Sequence, residues 1–151
     1  MDNGGEFTDR LFSQASISKG ATALDVGCGR GDVTFRLTRA VGTEGKVTGL
    51  DLNVSALEDA KEKASKMGLT NTHFIQRDFL EFAKEGHKFD VVTCRRVLMY
   101  LSNQTDVAKA FFDLLNPNGI LLIQEHDKTL RHPSSDRPLS EQAQQWIWDT
   151  V

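Results

Sequence analysis

The sequence predicts an α/β fold in which a mostly parallel β-sheet lies between two layers of helices. Three observations lead to this prediction. Short apolar runs of strand length alternate along the chain with longer segments of helical periodicity. The runs at residues 89–94 (FDVVTC) and 120–124 (ILLIQ) are almost continuously apolar, as expected for strands covered on both faces. A glycine-rich turn joins the first strand to the helix that follows it.

The elements are predicted in a regular order along the chain. Five strands are expected over residues 21–26, 46–52, 72–77, 89–94 and 120–124. Helices are expected from about Asp32 to the glycines at 42 and 45, over residues 55–67, and over residues 105–115. Residues 79–88 are predicted to form a loop or a short helix, and residues 116–119 (NPNG) a turn.

These elements divide the chain of 151 residues into three parts. Residues 1–20 are predicted to be an N-terminal helical segment, because four apolar residues recur there at roughly helical spacing. Residues 21–127 form the predicted core. Residues 128–151 are expected to begin as a polar linker with two prolines and to continue into a further helix from about Leu139.

Composition excludes several classes of protein. The 39% of hydrophobic and 26% of charged residues are typical of a globular domain, and no apolar run approaches the length of a membrane span. The net charge of −3 and the lack of a dense basic segment give no indication of nucleic-acid binding. Cys28 and Cys94 are too few for a disulfide framework or a zinc site, so no metal is expected. No secretion signal is recognised, and a cytoplasmic location is expected.

The most informative segment is Leu24–Asp32 (LDVGCGRGD), between the first strand and its helix. Glycines here let the backbone turn sharply and approach a ligand closely, while the helix that follows points free N–H groups into the same crevice. The spacing differs from the dinucleotide pattern G-x-G-x-x-G, because the third glycine comes one residue early. Asp25 adds a carboxylate that suits a cationic ligand better than a pyrophosphate.

This D-x-G-x-G-x-G pattern resembles motif I of the class I S-adenosylmethionine (SAM)-dependent methyltransferases. Four residues match it in full: Asp25, Gly27, Gly29 and Gly31. The resemblance implies that this loop, which includes Cys28, binds the amino-acid part of SAM. It also implies that Asp25 orients the loop or reaches the ammonium group of the ligand.

Two further acidic positions extend the resemblance. Asp51 stands at the end of the second strand, 24 residues after Gly27, where a carboxylate can accept hydrogen bonds from both ribose hydroxyls. In the family the next residue packs on the adenine, which indicates Leu52. Asp78 follows the third strand, where the family often places an acceptor for the adenine amino group, with the neighbouring Phe79 packing on the ring. The alternative for Asp78 is a cap of the next turn.

The fourth strand and the segment after it resemble motif IV of small-molecule methyltransferases. Cys94 and Arg95 are the candidates for contacts with the methionine part of SAM, mainly through their backbone. No N-P-P-Y-type motif is present, as amino-methylating nucleic-acid enzymes carry. Residues 115–119 (LNPNG) resemble the family's L-x-P-G-G turn, with Asn118 where glycine is usual. Asparagine tolerates a positive φ, so we expect the turn to survive.

The resemblance implies a Rossmann-like three-layer α/β/α sandwich with seven strands in the order 3-2-1-4-5-7-6. Only five strands are predicted here, so the chain is interpreted as truncated at its C-terminus. The fifth strand would then be an exposed apolar edge, and self-association through it is expected.

The implied activity is methyl transfer from SAM to an acceptor, with a small-molecule partner expected and no membrane partner. Three alternatives stay open: a SAM-binding or structural fragment without turnover, a protein or RNA methyltransferase, and an NAD-dependent oxidoreductase. No residue is evident as a general base, and His126 is the weak candidate because it follows the fifth strand.

Overall fold

The computed structural model of the chain describes residues 4–125. The helices are α1 (Gly4–Gln14), α2 (Asp32–Val41), α3 (Val54–Lys66), α4 (Phe79–Ala83) and α5 (Gln104–Leu114). The strands are β1 (Thr22–Val26), β2 (Lys46–Asp51), β3 (Thr72–Gln76), β4 (Phe89–Arg95) and β5 (Leu115–Gln124). A short 3₁₀ turn, Leu98–Tyr100, follows β4.

The five strands form one parallel sheet in the order β3-β2-β1-β4-β5. This confirms the predicted α/β class and the first five positions of the expected strand order. Helices cover both faces of the sheet. Successive side chains of a strand point to opposite faces, so each strand packs against both helix layers. Ala23 of β1 faces α1 and α2, whereas Leu24 and Val26 face the cluster that includes α4 and α5. Helix α3 packs beside α2 through Leu57 and Phe35.

The beginning of β5 differs from the prediction. Residues 116–119 were expected to form a turn before the strand, but β5 already starts at Leu115. Leu115 pairs with Phe89 and Ile120 pairs with Val91. An advance of five residues along β5 therefore matches an advance of two residues along β4. The extra residues form a bulge in which Asn118 has φ 64°. The expectation that asparagine adopts a positive φ here is confirmed.

The smaller differences lie at element ends. Residues 79–88 contain the short helix α4, and β2 ends at Asp51, one residue earlier than predicted. The N-terminal helix is present as α1. The predicted linker and last helix (residues 128–151) and His126 lie outside the described residues. No helix between residues 4 and 125 is long and apolar enough to cross a membrane.

Candidate functional site

The site lies at the carboxyl edge of the sheet, where the direction of strand order reverses. Strand β1 has β2 on one side and β4 on the other, and the connection after β1 leads to β2 whereas the connection after β4 leads the opposite way, to β5. Open α/β sheets bind ligands in the crevice at such a point. The glycine loop follows β1 directly, so the fold places the predicted motif at this crevice.

The glycine loop has a conformation that side chains rarely allow. Gly27, Gly29 and Gly31 all have positive φ, at 69°, 51° and 86°. A Cβ atom on Gly29 would have no neighbour within 4 Å, so this glycine faces open space. A Cβ on Gly27 would lie 2.1 Å from Cγ2 of Val97. The close approach at Gly27 is therefore made by the segment after β4, while Gly29 presents its backbone outward.

Gly31 has a structural role. It precedes α2 as the N-cap residue, and a Cβ there would lie 2.8 Å from Cζ of Phe35. Its amide donates to the carbonyl of Cys28 at 2.9 Å, which closes the loop on itself. The third glycine thus lets the helix begin immediately against the loop.

Asp51 connects the end of β2 to this loop. Its Oδ2 accepts a hydrogen bond from the Gly29 amide at 2.7 Å, and its Oδ1 accepts one from the Asn53 amide at 2.8 Å. The amides of Gly27 and Cys28 also reach β2, because both donate to the Leu50 carbonyl at 2.8 and 3.0 Å. The structure therefore brings Asp51 and Gly29 together, as the spacing indicated. Each carboxylate oxygen keeps a further lone pair for a ligand donor.

The three residues predicted to contact the adenine differ in their surroundings: one is exposed, one caps a helix and one lies in the core. They are Leu52, Asp78 and Phe79. Leu52 is 61% exposed beside Asp51, where its side chain is available to a ligand. Asp78 caps α4, with Oδ1 accepting from the Glu81 amide at 3.1 Å, which is the alternative foreseen for it. The ring of Phe79 is 5% exposed and lies 4.6 Å from the ring of Phe111, centroid to centroid. This position departs from the expectation for Phe79, because α4 turns its first side chain into the core.

Asp25 is buried beneath the loop. Its Oδ2 accepts a hydrogen bond from the Thr34 hydroxyl at 2.6 Å and its Oδ1 one from the Thr93 hydroxyl at 3.1 Å. Burial raises the pKa of this carboxyl to about 6, against the lowering effect of both hydroxyls and of the Arg95 charge. The side chain ties β1 to α2 and β4. Of the two roles considered for Asp25, this position corresponds to orienting the loop and leaves the side chain away from the surface.

Both cysteines are buried and free. Sγ of Cys28 lies 2.9 Å from where a Cβ on Gly49 would be, in the cluster shared with Phe74. Burial raises the pKa of the Cys28 thiol above its usual range, and it raises that of Cys94 to about 12. Neither thiol is ionised near neutral pH, so both act as small packed residues. With its side chain buried, Cys94 can offer a ligand only its backbone, and the predicted contact with SAM stays a prediction.

Arg95 ends β4 and points toward α1. Its Nη1 donates to the Thr8 hydroxyl at 3.3 Å, and that hydroxyl donates to Oε1 of Gln124 at 2.7 Å. The next residue, Arg96, has φ 61° and donates its amide to the Gln124 carbonyl at 2.9 Å. The backbone thus turns sharply at Arg95 and Arg96, where β4 ends beside the site, and hydrogen bonds to Thr8 and Gln124 hold this turn.

Glu125 is a site residue that the sequence did not single out. Its Oε1 accepts hydrogen bonds from the amides of Val97 and Leu98, both at 2.8 Å. Its Oε2 is buried without a hydrogen-bond partner, the one such side-chain atom found between residues 4 and 125. The carboxylate therefore holds the segment whose Val97 covers Gly27. The position of Glu125 directly after an apolar strand could have indicated a site residue. Its hydrogen-bond partners, however, lie 27 and 28 residues earlier in the sequence, so no local pattern identifies them.

Comparison with known proteins agrees with this geometry. A family model described as a methyltransferase domain matches residues 17–149. The demethylmenaquinone methyltransferase of Staphylococcus aureus strain MRSA252 is 35% identical over 116 residues, which are 77% of this chain and 47% of that protein. The chain therefore spans about half the length of the curated relatives it matches.

Solved structures show the same fold. A SAM-dependent methyltransferase from Thiobacillus denitrificans, in complex with S-adenosyl-L-homocysteine, superposes with a TM-score of 0.67 at 26% identity over 78% of this chain and 47% of that one. The [4+2]-cyclase SpnF superposes with a TM-score of 0.72 at 24% identity over 88% and 49%. By its family match and its fold, this chain belongs to the class I SAM-dependent methyltransferases.

Proposed function

We propose that this domain binds SAM across the glycine loop and transfers its methyl group to a small-molecule acceptor. One observation carries the proposal: the carboxylate of Asp51 and the outward-facing Gly29 are joined by a 2.7 Å hydrogen bond at the point where the strand order reverses. A ligand on Gly29 then has a hydrogen-bond acceptor for vicinal hydroxyls within reach. SAM carries such hydroxyls on its ribose.

The residues around this pair fit a nucleoside with an amino-acid extension. Leu52 offers an exposed apolar side chain for the base, beside the acceptor for the ribose. Gly29 leaves room for an extended ligand to lie against the backbone, since nothing fills the space in front of it. The roles of Asp25, Gly27, Cys28, Gly31, Cys94 and Arg95 in this proposal are to shape and hold the loop and the neighbouring strand end.

Bound SAM supplies a methyl group that is already activated by a positively charged sulfur. The protein then has to hold the acceptor in line and keep water away. Val97 closes the inner side of the loop, and Glu125 fixes Val97 in that place. The proposal assigns no general base, because positioning alone can serve an acceptor that is already nucleophilic.

A small-molecule acceptor is supported by the relative that acts, by its name, on demethylmenaquinone. The composition agrees, because a chain with a net charge of −3 offers little attraction to nucleic acid. The family match gives no support to the NAD-dependent oxidoreductase that the glycine loop alone left open. The fold by itself would not decide for methyl transfer, since the cyclase SpnF shares it.

Isothermal titration with SAM, S-adenosylhomocysteine and NAD tests the cofactor part of the proposal. We expect both sulfur ligands to bind and NAD not to bind. Asp51→Asn should weaken S-adenosylhomocysteine binding by about tenfold or more, because a charged acceptor for the ribose is lost. Asp113→Asn removes an exposed carboxylate on α5 and is the matched control. Equal affinities in the two variants would contradict the assignment of Asp51.

The acceptor class is tested with SAM that carries a labelled methyl group. The chain is incubated with a cell extract, and the label is counted in the small-molecule, protein and RNA fractions. We expect it in the small-molecule fraction. Label in protein or RNA would favour that alternative instead. Tight S-adenosylhomocysteine binding with no label transferred would identify a SAM-binding domain without turnover.

A further inference from the structure

A cleft of about 510 Å³ opens at the start of α2, directly after the glycine loop. Its walls come from α1, from α2 and from the corner after β4. Four of the nine arginines of the chain line it: Arg36, Arg39, Arg95 and Arg96. This concentration stands out in a chain whose net charge is −3.

Only part of this positive charge is balanced by protein groups. Arg36 forms an ion pair with Asp9, and Asp32 also lines the cleft. Arg39 and Arg96 form no ion pair with any residue between 4 and 125. Four guanidinium groups thus face three nearby carboxyl groups, those of Asp9, Asp32 and Asp25, the last of which interacts with the charge of Arg95. This leaves a small excess of positive charge in a concave surface, where fields are focused.

The arginines from the β4 corner are held in place by the fold. Arg95 is tethered to Thr8, and Thr8 in turn to Gln124, so its position depends on α1 and β5 together. Arg96 keeps a left-handed backbone, with φ 61°, that is unfavourable for a side chain of its size. Such conformations persist where the surrounding structure imposes them, and they concentrate at functional sites.

We propose that this arginine cleft binds a carboxylate or phosphate group of the methyl acceptor. Guanidinium groups form paired, charge-assisted hydrogen bonds with both kinds of oxyanion. The cleft reaches Arg39, seven residues along α2 from Asp32 and thus about 10 Å from the loop. Because α2 leads from the carboxyl edge of the sheet back to its amino edge, the cleft runs from the loop along the helix layer. Arg95 and Arg96, at the carboxyl end of β4, are the arginines closest to the loop end of the cleft, where an acceptor beside the cofactor would place its anionic group. The inference rests on the proposed function, because it names the class of acceptor for the same site.

The test uses pyrophosphate as the probe and the chain saturated with S-adenosylhomocysteine. Calorimetric titration should show pyrophosphate binding that weakens as salt is added. Arg39→Gln and Arg96→Gln should each weaken it by about tenfold or more, because a charge-assisted hydrogen bond is lost. Arg77→Gln is the control, since Arg77 is exposed and lies outside the cleft. All three variants should bind S-adenosylhomocysteine as the unmodified chain does.

Three outcomes would overturn the proposal. The first is no binding of pyrophosphate to the saturated chain, and the second is equal weakening by Arg77→Gln. The third is binding of pyrophosphate only when S-adenosylhomocysteine is absent, together with weaker S-adenosylhomocysteine binding in Arg96→Gln. That pattern would assign the arginines to the carboxylate of the cofactor. Failure of S-adenosylhomocysteine itself to bind would instead refute the proposed function, so the two failures are distinguishable.

Discussion

The buried carboxylate of Asp25 accepts a hydrogen bond of 2.6 Å from the hydroxyl of Thr34, and this contact joins the end of β1 to the first turns of α2. The glycine loop lies between these two residues in sequence. Its shape is therefore fixed from below by a contact inside the protein. The contact also gives the stability of the domain a dependence on pH.

Asp25→Asn should change how stability depends on pH. The pKa of Asp25 is about 6 in the folded chain, compared with 3.8 for an ordinary Asp. Between these values the folded state keeps a proton that the unfolded state has lost, so stability falls as pH rises. Relative to Asp25→Asn, the unmodified chain should lose about 2 kcal/mol of unfolding free energy from pH 4 to pH 6, and the loss should level off above about pH 7.

Urea unfolding at closely spaced pH values measures this difference. Asp113→Asn, which removes an exposed carboxylate, serves as the control. A constant difference between Asp25→Asn and the unmodified chain over the whole range would show that Asp25 ionises normally in the folded state.

Alanine at Gly27 and at Gly29 should have different effects. Both positions have positive φ, which costs an alanine about 1 kcal/mol. At Gly27 the new methyl group would also collide with Val97, adding about 1–3 kcal/mol. Gly29→Ala should therefore lower the free energy of unfolding by only about 1 kcal/mol. It should nevertheless abolish S-adenosylhomocysteine binding, because the added methyl group occupies the space proposed for the ligand.

A double-mutant cycle isolates the collision. In a Val97→Ala background, Gly27→Ala should cost no more than Gly29→Ala does, as measured by urea unfolding. Additive effects of Gly27→Ala and Val97→Ala would mean that the two residues do not touch in solution.

Glu125→Ala should loosen the segment after β4. It leaves the amides of Val97 and Leu98 without their acceptor, and we expect a loss of about 2–4 kcal/mol in unfolding free energy. Glu125→Gln keeps an acceptor oxygen and should lose less. Faster hydrogen exchange of these two amides is the direct readout. Glu58→Ala, at an exposed position of α3, is the control, and exchange as slow in Glu125→Ala as in the control would refute the role given to Glu125.

Asp90→Ala should reduce stability without affecting the site. The Asp90 carboxylate accepts hydrogen bonds from the amide and the hydroxyl of Thr22 and from the side chain of Asn116, at 2.8–2.9 Å. These bonds lie at the opposite edge of the sheet from the glycine loop. We expect a loss of about 2–4 kcal/mol by urea unfolding, with unchanged S-adenosylhomocysteine affinity in the folded variant. A parallel loss of affinity would show that the two edges are coupled.

Self-association through β5 remains a prediction. Within the described part of the chain β5 pairs only with β4, and Ile123 on it is 41% exposed. An unpaired apolar edge favours pairing with a second chain. Light scattering should show a molar mass that rises with concentration, and Ile123→Lys should suppress the rise. A monomeric mass at high concentration for the unmodified chain would exclude this edge as an interface.

The parts of the site that could be predicted depend on short-range sequence spacing. Asp51 and Gly29 meet because β1 and β2 are adjacent parallel strands, and their ends were readable from apolar runs. The sheet order came from the family resemblance, whereas the alternation of elements predicted only that the sheet would be parallel.

The parts that were missed depend on distant partners or on the direction of single side chains. For Asp25 two roles were open, orienting the loop or reaching the ligand, and the sequence could not decide between them because its hydroxyl partners come from α2 and from β4, the latter 68 residues away. Phe79 lies in the core because α4 is a short helix whose first side chain faces Phe111. The role of Glu125 needed the path of residues 97–98, which no local pattern specifies.

The strand order also has a consequence for how the chain folds during synthesis. Strand β1 is made first but ends in the middle of the sheet, and its second neighbour begins 67 residues later, as Thr22 and Phe89 mark the two starts. Until β4 leaves the ribosome, one side of β1 carries unpaired backbone groups, and Asp25 lacks the Thr93 hydroxyl. The nascent domain therefore passes through a period in which its future centre is an edge, and chaperone binding would have its largest effect then.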